Sequence, residues 1–138
     1  MTFVVDNSVA LTWCFEDEQT QVTLTLLQRV GEDGAFAPGL WPLEAVNGLL
    51  VAERRGRLDN ARRRRLVRFL EMLPISIDDE SAGRAWTDSA RLAEQFGLSA
   101  YDAAYLELAH RLDLPLASLD RQLRAAASAL GLPILGTD

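Results

Sequence analysis

Residues 2–13 read TFVVDNSVALTW: an apolar, β-branched run meets a carboxylate at Asp6 and passes at once into helix-like apolar spacing. An acid where a strand hands over to a helix has two readings. It is either the N-cap of that helix, or one member of a charged site at the carboxyl end of a strand.

The same arrangement returns at residues 115–120, PLASLD, where an apolar strand ends in Asp120 ahead of a helix from Arg121 to Leu130. Between these two units the spacing predicts helices over 8–15 and 18–30, the latter ended by Gly31 and Gly34, then a brief strand in AFAP stopped by Pro38. WPLEAVNGLLVAERR starts a helix with Pro42 in its first turn, and Leu58 to Leu73 reads as another, with Leu66, Phe69, Leu70 and Leu73 as its inner stripe. ISI at 75–77 is a strand, residues 80–97 one long helix closed by Gly97, YDAAYLELAHRL a helix behind Ser99, and PIL the last strand. Strands alternating with helices imply a parallel sheet covered on both faces. The expected fold is therefore α/β, a three-layer α/β/α sandwich with a central parallel sheet of about five strands, in a single domain over residues 1–138.

No apolar run approaches the roughly 18 residues of a membrane span, and the segment before Asp6 is too short for a signal peptide. A soluble, cytoplasmic protein is expected. Cys14, the only cysteine, cannot form an intrachain disulfide and sits between Trp13 and Phe15 as a small hydrophobe. Net charge is −6, which disfavours nucleic-acid binding by bulk electrostatics, yet residues 54–68 hold eight Arg against one acid. That segment carries +7 and the remainder −13. Every basic residue is Arg, in keeping with phosphate contact and equally with GC-rich coding.

Neither a G-x-G-x-x-G nor a P-loop motif is present, and the single His110 lies mid-helix, so dinucleotide, P-loop and Ser-His-Asp chemistry are disfavoured. What remains is carboxylates. If the first strand and the PLASLD strand are neighbours, Asp6 and Asp120 emerge side by side, and Glu44 and Asp102, each in the first turn of a helix, can point to the same edge. Each also has a local explanation, since acids favour helix amino ends and SAYD at 99–102 matches a capping box. Taken together, four gathered carboxylates repel unless a cation neutralises them, and an all-oxygen set suits Mg²⁺ or Mn²⁺. A water acidified by such an ion is a nucleophile for phosphodiester hydrolysis.

VVDNSVALTW, WPLEAVNGLL, LSAYDAAYLELA and PLASLDRQL, in this order, resemble the PIN-domain family and within it the VapC-type toxin ribonucleases of toxin–antitoxin pairs. The resemblance spans nearly the whole chain. It implies a metal-dependent endoribonuclease whose ligands and catalytic residues are Asp6, Glu44, Asp102 and Asp120, with Ser8 and Ser118 as supporting hydroxyls. Asn47, one helical turn beyond Glu44, would orient it. Asn7 and Gln122 depart from the family pattern, which favours one ion over two. The resemblance also implies an RNA substrate, a VapB-like antitoxin and a homodimer. Asp78, Asp79 and Glu80 are expected to start a helix away from the centre. Arg62, Arg63, Arg64 and Arg65 follow one another around a helix, so they form either a solvated face or a phosphate track. Of the aromatics Trp13, Phe15, Trp41 and Trp86, most are expected in the core, although Trp is also an interface anchor. The competing reading is a PIN-like module that binds nucleic acid or protein without cutting.

Overall fold

In the computed structural model, which describes residues 1–137, the opening stretch forms strand β1 (Val4–Val5) and a single helical turn, α1 (Asn7–Ala10). The helix expected over 8–15 does not continue: Leu11–Cys14 tightens into a 3₁₀ turn, and the Thr12 hydroxyl bonds back to the Val9 carbonyl at 2.6 Å. That hydroxyl competes for the acceptor which the next α turn needs.

Thr20 and Thr23 cap α2 (Gln21–Asp33) reciprocally, so it starts later than expected. It runs through Gly31 and stops at Gly34, whose φ of 74° suits glycine. After β2 (Ala35–Ala37) come α3 (Trp41–Arg54), with Pro42 in its first turn, and α4 (Asn60–Met72), capped by Asp59. Of the stripe expected on α4 only Leu70 is fully buried; Leu66, Phe69 and Leu73 pack at the rim of the core, because α4 lies chiefly against α3.

Beyond β3 (Ile75–Ile77), the long helix expected over 80–97 is interrupted. α5 (Ser81–Arg84) passes through a π-helical turn (Ala85–Ser89) into α6 (Ala90–Phe96). Within that turn Trp86 projects to solvent, 87% exposed, whereas Trp13, Phe15 and Trp41 are buried. The chain closes with α7 (Ala100–Leu112), capped by Ser99, β4 (Leu116–Ala117), α8 (Arg121–Ala129) and β5 (Ile134–Leu135).

All strand pairs are parallel, in the order β3-β2-β1-β4-β5. This is the expected α/β/α architecture, with ISI at an edge. Phe3, Val4, Val5, Leu116 and Ala117 are fully buried, as strands covered on both faces require. Tyr105, Leu106 and Leu108 of α7 complete the core. The strand order reverses between β1 and β4, which makes their carboxyl ends the switch point where α/β sheets hold ligands. Among the described residues no helix is long and apolar enough to cross a membrane.

Candidate metal centre

Asp6 occupies the N-cap position of α1, yet its side chain makes no capping bond to that helix. Its carboxylate is 5% exposed, and two hydroxyls converge on one oxygen: Ser8 Oγ donates to Oδ2 at 2.6 Å and Ser118 Oγ at 2.9 Å. The hydroxyls are fixed in turn, since the Leu119 amide donates to Ser8 Oγ and the Asp120 amide to Ser118 Oγ. The start of α1 and the end of β4 are thus stitched together around one carboxylate. Burial pushes Asp6 above the ordinary carboxyl range, and the two serine bonds offset that only in part.

Glu44 sits in the first turn of α3, and this helix can approach closely because Gly48 faces Leu11. A Cβ at Gly48 would come within 2.7 Å of Leu11 Cδ1. The Tyr105 hydroxyl donates to Glu44 Oε1 at 2.6 Å across 61 residues of chain. Burial raises Glu44, the Tyr105 bond lowers it, and the charge of Asp6 raises it again. Asn47, which the resemblance offered as the orienting partner, is exposed, and no hydrogen bond joins it to Glu44 among the described residues.

Asp102 is at the third position of α7, where Ser99 Oγ accepts its amide, but the reciprocal bond of a full capping box is not formed. Its carboxyl is pushed up to about 6, by burial first and then by the charges of Asp6, Asp120 and Glu44. Asp120 does cap its helix, with Oδ1 accepting the Leu123 amide at 2.8 Å. The four acids therefore share one electrostatic neighbourhood, although no three of them bring ligand oxygens within 4.8 Å of one another. Asp120 is held by its cap and Glu44 by Tyr105.

Among the described residues no arginine or histidine pairs with any of the four. An uncompensated, all-oxygen donor set, in which burial raises Asp6, Glu44 and Asp102 and the charge of neighbouring acids adds to the rise at Glu44 and Asp102, fits a hard divalent ion. Asn7 adds a further oxygen beside Asp6, its Oδ1 being buried without a partner. Asp78, Asp79 and Glu80 do bring three carboxylates within 4.8 Å, but two of them, Asp78 and Glu80, are already paired with arginines. Arg111 reaches both oxygens of Asp78, at 3.2 and 2.7 Å, and also bonds Glu80, while Arg84 takes the other side of Glu80.

Arg62, Arg64 and Arg65 are exposed, whereas Arg63 is held by Glu53 at 2.7 Å. The apolar groove between α3, α4 and β3, of about 250 Å³, is lined by residues such as Trp41, Leu49, Leu70 and Ile75 and by none of the four acids. Tyr105 was not singled out in the sequence, because a tyrosine in an apolar helix face reads as core. The available signal was its spacing: three residues past Asp102, it shares that residue's side of α7.

A family model for the PIN domain matches residues 3–129. The fold is similar to the crystal structure of PAE2754 from Pyrobaculum aerophilum, at 23% identity and a TM-score of 0.69, covering 97% of this chain and 92% of that one. It is similar to FitAcB from Neisseria gonorrhoeae, at 15% identity and 0.67, covering 99% and 97%. VapBC2 from Rickettsia felis, bound to a DNA fragment from their promoter, aligns over 100% of both chains at 10% identity and 0.67. No curated protein matches the sequence significantly.

Proposed function

The chain belongs to the PIN-domain family, whose members are generally nucleases, and from that premise we propose that it is a metal-dependent endoribonuclease, the toxin of a VapBC-type pair. The observation that carries this reading is the carboxylate neighbourhood around Asp6, with four acids and, among the described residues, no cationic side chain paired with them. Asp6, Glu44, Asp102 and Asp120 would hold Mg²⁺ or Mn²⁺. Such an ion acidifies a water for attack on phosphorus and stabilises charge on the phosphate.

The chain's own residues then have separable tasks. Asp6, with both serine hydroxyls on Oδ2, presents Oδ1; Asp120, with Oδ1 committed to its helix, presents Oδ2; Glu44, with Oε1 on Tyr105, presents Oε2. RNA is the proposed substrate, cut where bases are unstacked and the backbone is accessible. Exposed Arg62, Arg64 and Arg65 would offset the repulsion between an acidic protein and its polyanion. A VapB-like antitoxin is the proposed partner, supported by the similarity to VapBC2 and FitAcB, and the toxin is proposed to be a homodimer.

The test is RNA cleavage with Mg²⁺ or Mn²⁺ by the wild type, Asp6→Asn and Asp102→Asn. Both variants should lose cleavage. Full activity in either would mean that cleavage does not use this site, and a wild type that binds RNA without cutting it would favour the non-catalytic binding module.

A further inference from the structure

We propose that Tyr105 is a positioning residue for the metal centre, holding the Glu44 carboxylate in the orientation in which it binds a divalent cation. This rests on the nuclease reading above and adds a residue to it. Tyr105 is fully buried in α7, and its hydroxyl lies 2.6 Å from Glu44 Oε1. A phenol has a single proton, and an ionised carboxylate can only accept, so the direction of this bond is determined. The backbone amide of Asn7 approaches the same phenolic oxygen, next in sequence to Asp6. One side chain therefore spans three elements that each carry one of the acids: α7 with Asp102, α3 with Glu44, and the start of α1 beside Asp6.

Glu44 needs such a brace. It is only half-buried, it lies in the first turn of a helix, and the charge of Asp6 repels it. Its long side chain has three torsions to fix, and among the described residues Asn47 gives it no hydrogen bond. With Oε1 tied to Tyr105, one oxygen remains and its direction is set. Partners of this kind around metal ligands change affinity about 10- to 100-fold when removed.

The experiment titrates Mn²⁺ into the full-length chain without RNA, by calorimetry and by the electron paramagnetic resonance of free Mn²⁺. It compares the wild type with Tyr105→Phe, Glu44→Gln, the double variant and Asp6→Asn. Tyr105→Phe keeps the ring and should stay folded with a lowered melting temperature, because Glu44 and the Asn7 amide each lose a partner, yet bind Mn²⁺ about tenfold more weakly. Cleavage should recover at saturating Mn²⁺, with the half-saturating concentration shifted by the same factor. If the hydroxyl acts through Glu44, Tyr105→Phe should add nothing in the Glu44→Gln background. Unchanged Mn²⁺ affinity in Tyr105→Phe, or a full additive loss in the double variant, overturns the positioning role. Should Tyr105→Phe be too unstable at ambient temperature, the titrations are read in the cold on samples whose circular dichroism matches the wild type. Mn²⁺ binding unaffected by Asp6→Asn, or absent in the wild type, would instead defeat the metal-centre reading itself.

Discussion

Ser118 Oγ, fully buried at the end of β4, donates to Asp6 Oδ2 at 2.9 Å and accepts the amide of Asp120, so one hydroxyl links the acids at the ends of two neighbouring strands. Ser118→Ala removes one of two hydroxyl donors from a buried carboxylate and strands a backbone amide. The expected cost is about 1–3 kcal/mol of stability. Urea unfolding measures it, and a variant as stable as the wild type would mean that water replaces the hydroxyl at no cost. Ser8→Ala should cost less, because Ser8 is only partly buried.

Asp102 carries a pH signature. Its folded carboxyl titrates at about 6, above the ordinary 3.8, so the folded chain binds this proton more tightly than the unfolded chain does. The resulting stability is fully present below pH 3.8 and is lost as pH rises through about 6. Unscreened, a shift of this size corresponds to about 3 kcal/mol, and partial solvent exposure reduces that to the order of 1 kcal/mol. Metal-free Asp102→Asn should thus match the wild type near pH 4 and exceed it in melting temperature at pH 7. Mn²⁺ at pH 7 should stabilise the wild type and not the variant. A gap between the two that does not widen with pH counts against the shared neighbourhood.

Arg111 ties α7 to the β3–α5 junction through Asp78 and Glu80, and also pairs with the buried Glu107 of its own helix. Burial pushes Asp78 up, but hydrogen bonds from Arg111 and Ser81 and the guanidinium charge outweigh it and hold the carboxyl below its usual value. Arg111→Met leaves Glu107 buried without its cation, at a cost of about 3 kcal/mol. A lowered carboxyl contributes stability above its unfolded pKa of 3.8 and loses it as pH falls through the folded value, so the penalty should shrink below pH 4. Metal affinity should change little, because none of these acids belongs to the Asp6 group. A gain in Mn²⁺ binding would instead bring Asp78–Glu80 into consideration, as carboxylates that Arg111 otherwise occupies.

Legibility in the sequence followed the range of the interaction. VVD and ASLD announce strands ending in acids because β-branched runs and helix starts are local signals, and parallel topology then forces Asp6 and Asp120 to one edge. The first turns of two predicted helices offered Glu44 and Asp102, and the family resemblance added the serines. The 3₁₀ turn after α1 and the π turn around Trp86 were not legible, since apolar spacing predicts an unbroken helix at both places and does not show the Thr12 bond that tightens the first. Asn47 illustrates the limit of spacing. It lies one turn from Glu44, but α3 is seated by Gly48 against Leu11, and the face bearing Asn47 is left in solvent. The Tyr105–Glu44 and Arg111–Asp78 contacts join residues 61 and 33 positions apart, beyond any local rule.

The arginines of α4 give the last prediction, because the structure separates residues that the sequence presents as one run. Arg63 is held by Glu53, whereas Arg62, Arg64 and Arg65 are exposed and without salt bridges among the described residues. Each phosphate contact with a single strand adds about 0.7 to the slope of log affinity against log salt. If all three free arginines face RNA, changing them together to Gln should lower the slope by about 2 and weaken binding most at low salt. Arg63→Gln should leave the slope alone and show its effect in stability, by releasing Glu53. Fluorescence anisotropy with a labelled single-stranded RNA, at several salt concentrations and with Ca²⁺ in place of Mg²⁺ to limit cleavage, reads both effects. A slope unchanged by the triple substitution would assign these arginines to a solvated helix face, and the RNA path would then have to be sought on the other side of the carboxylates.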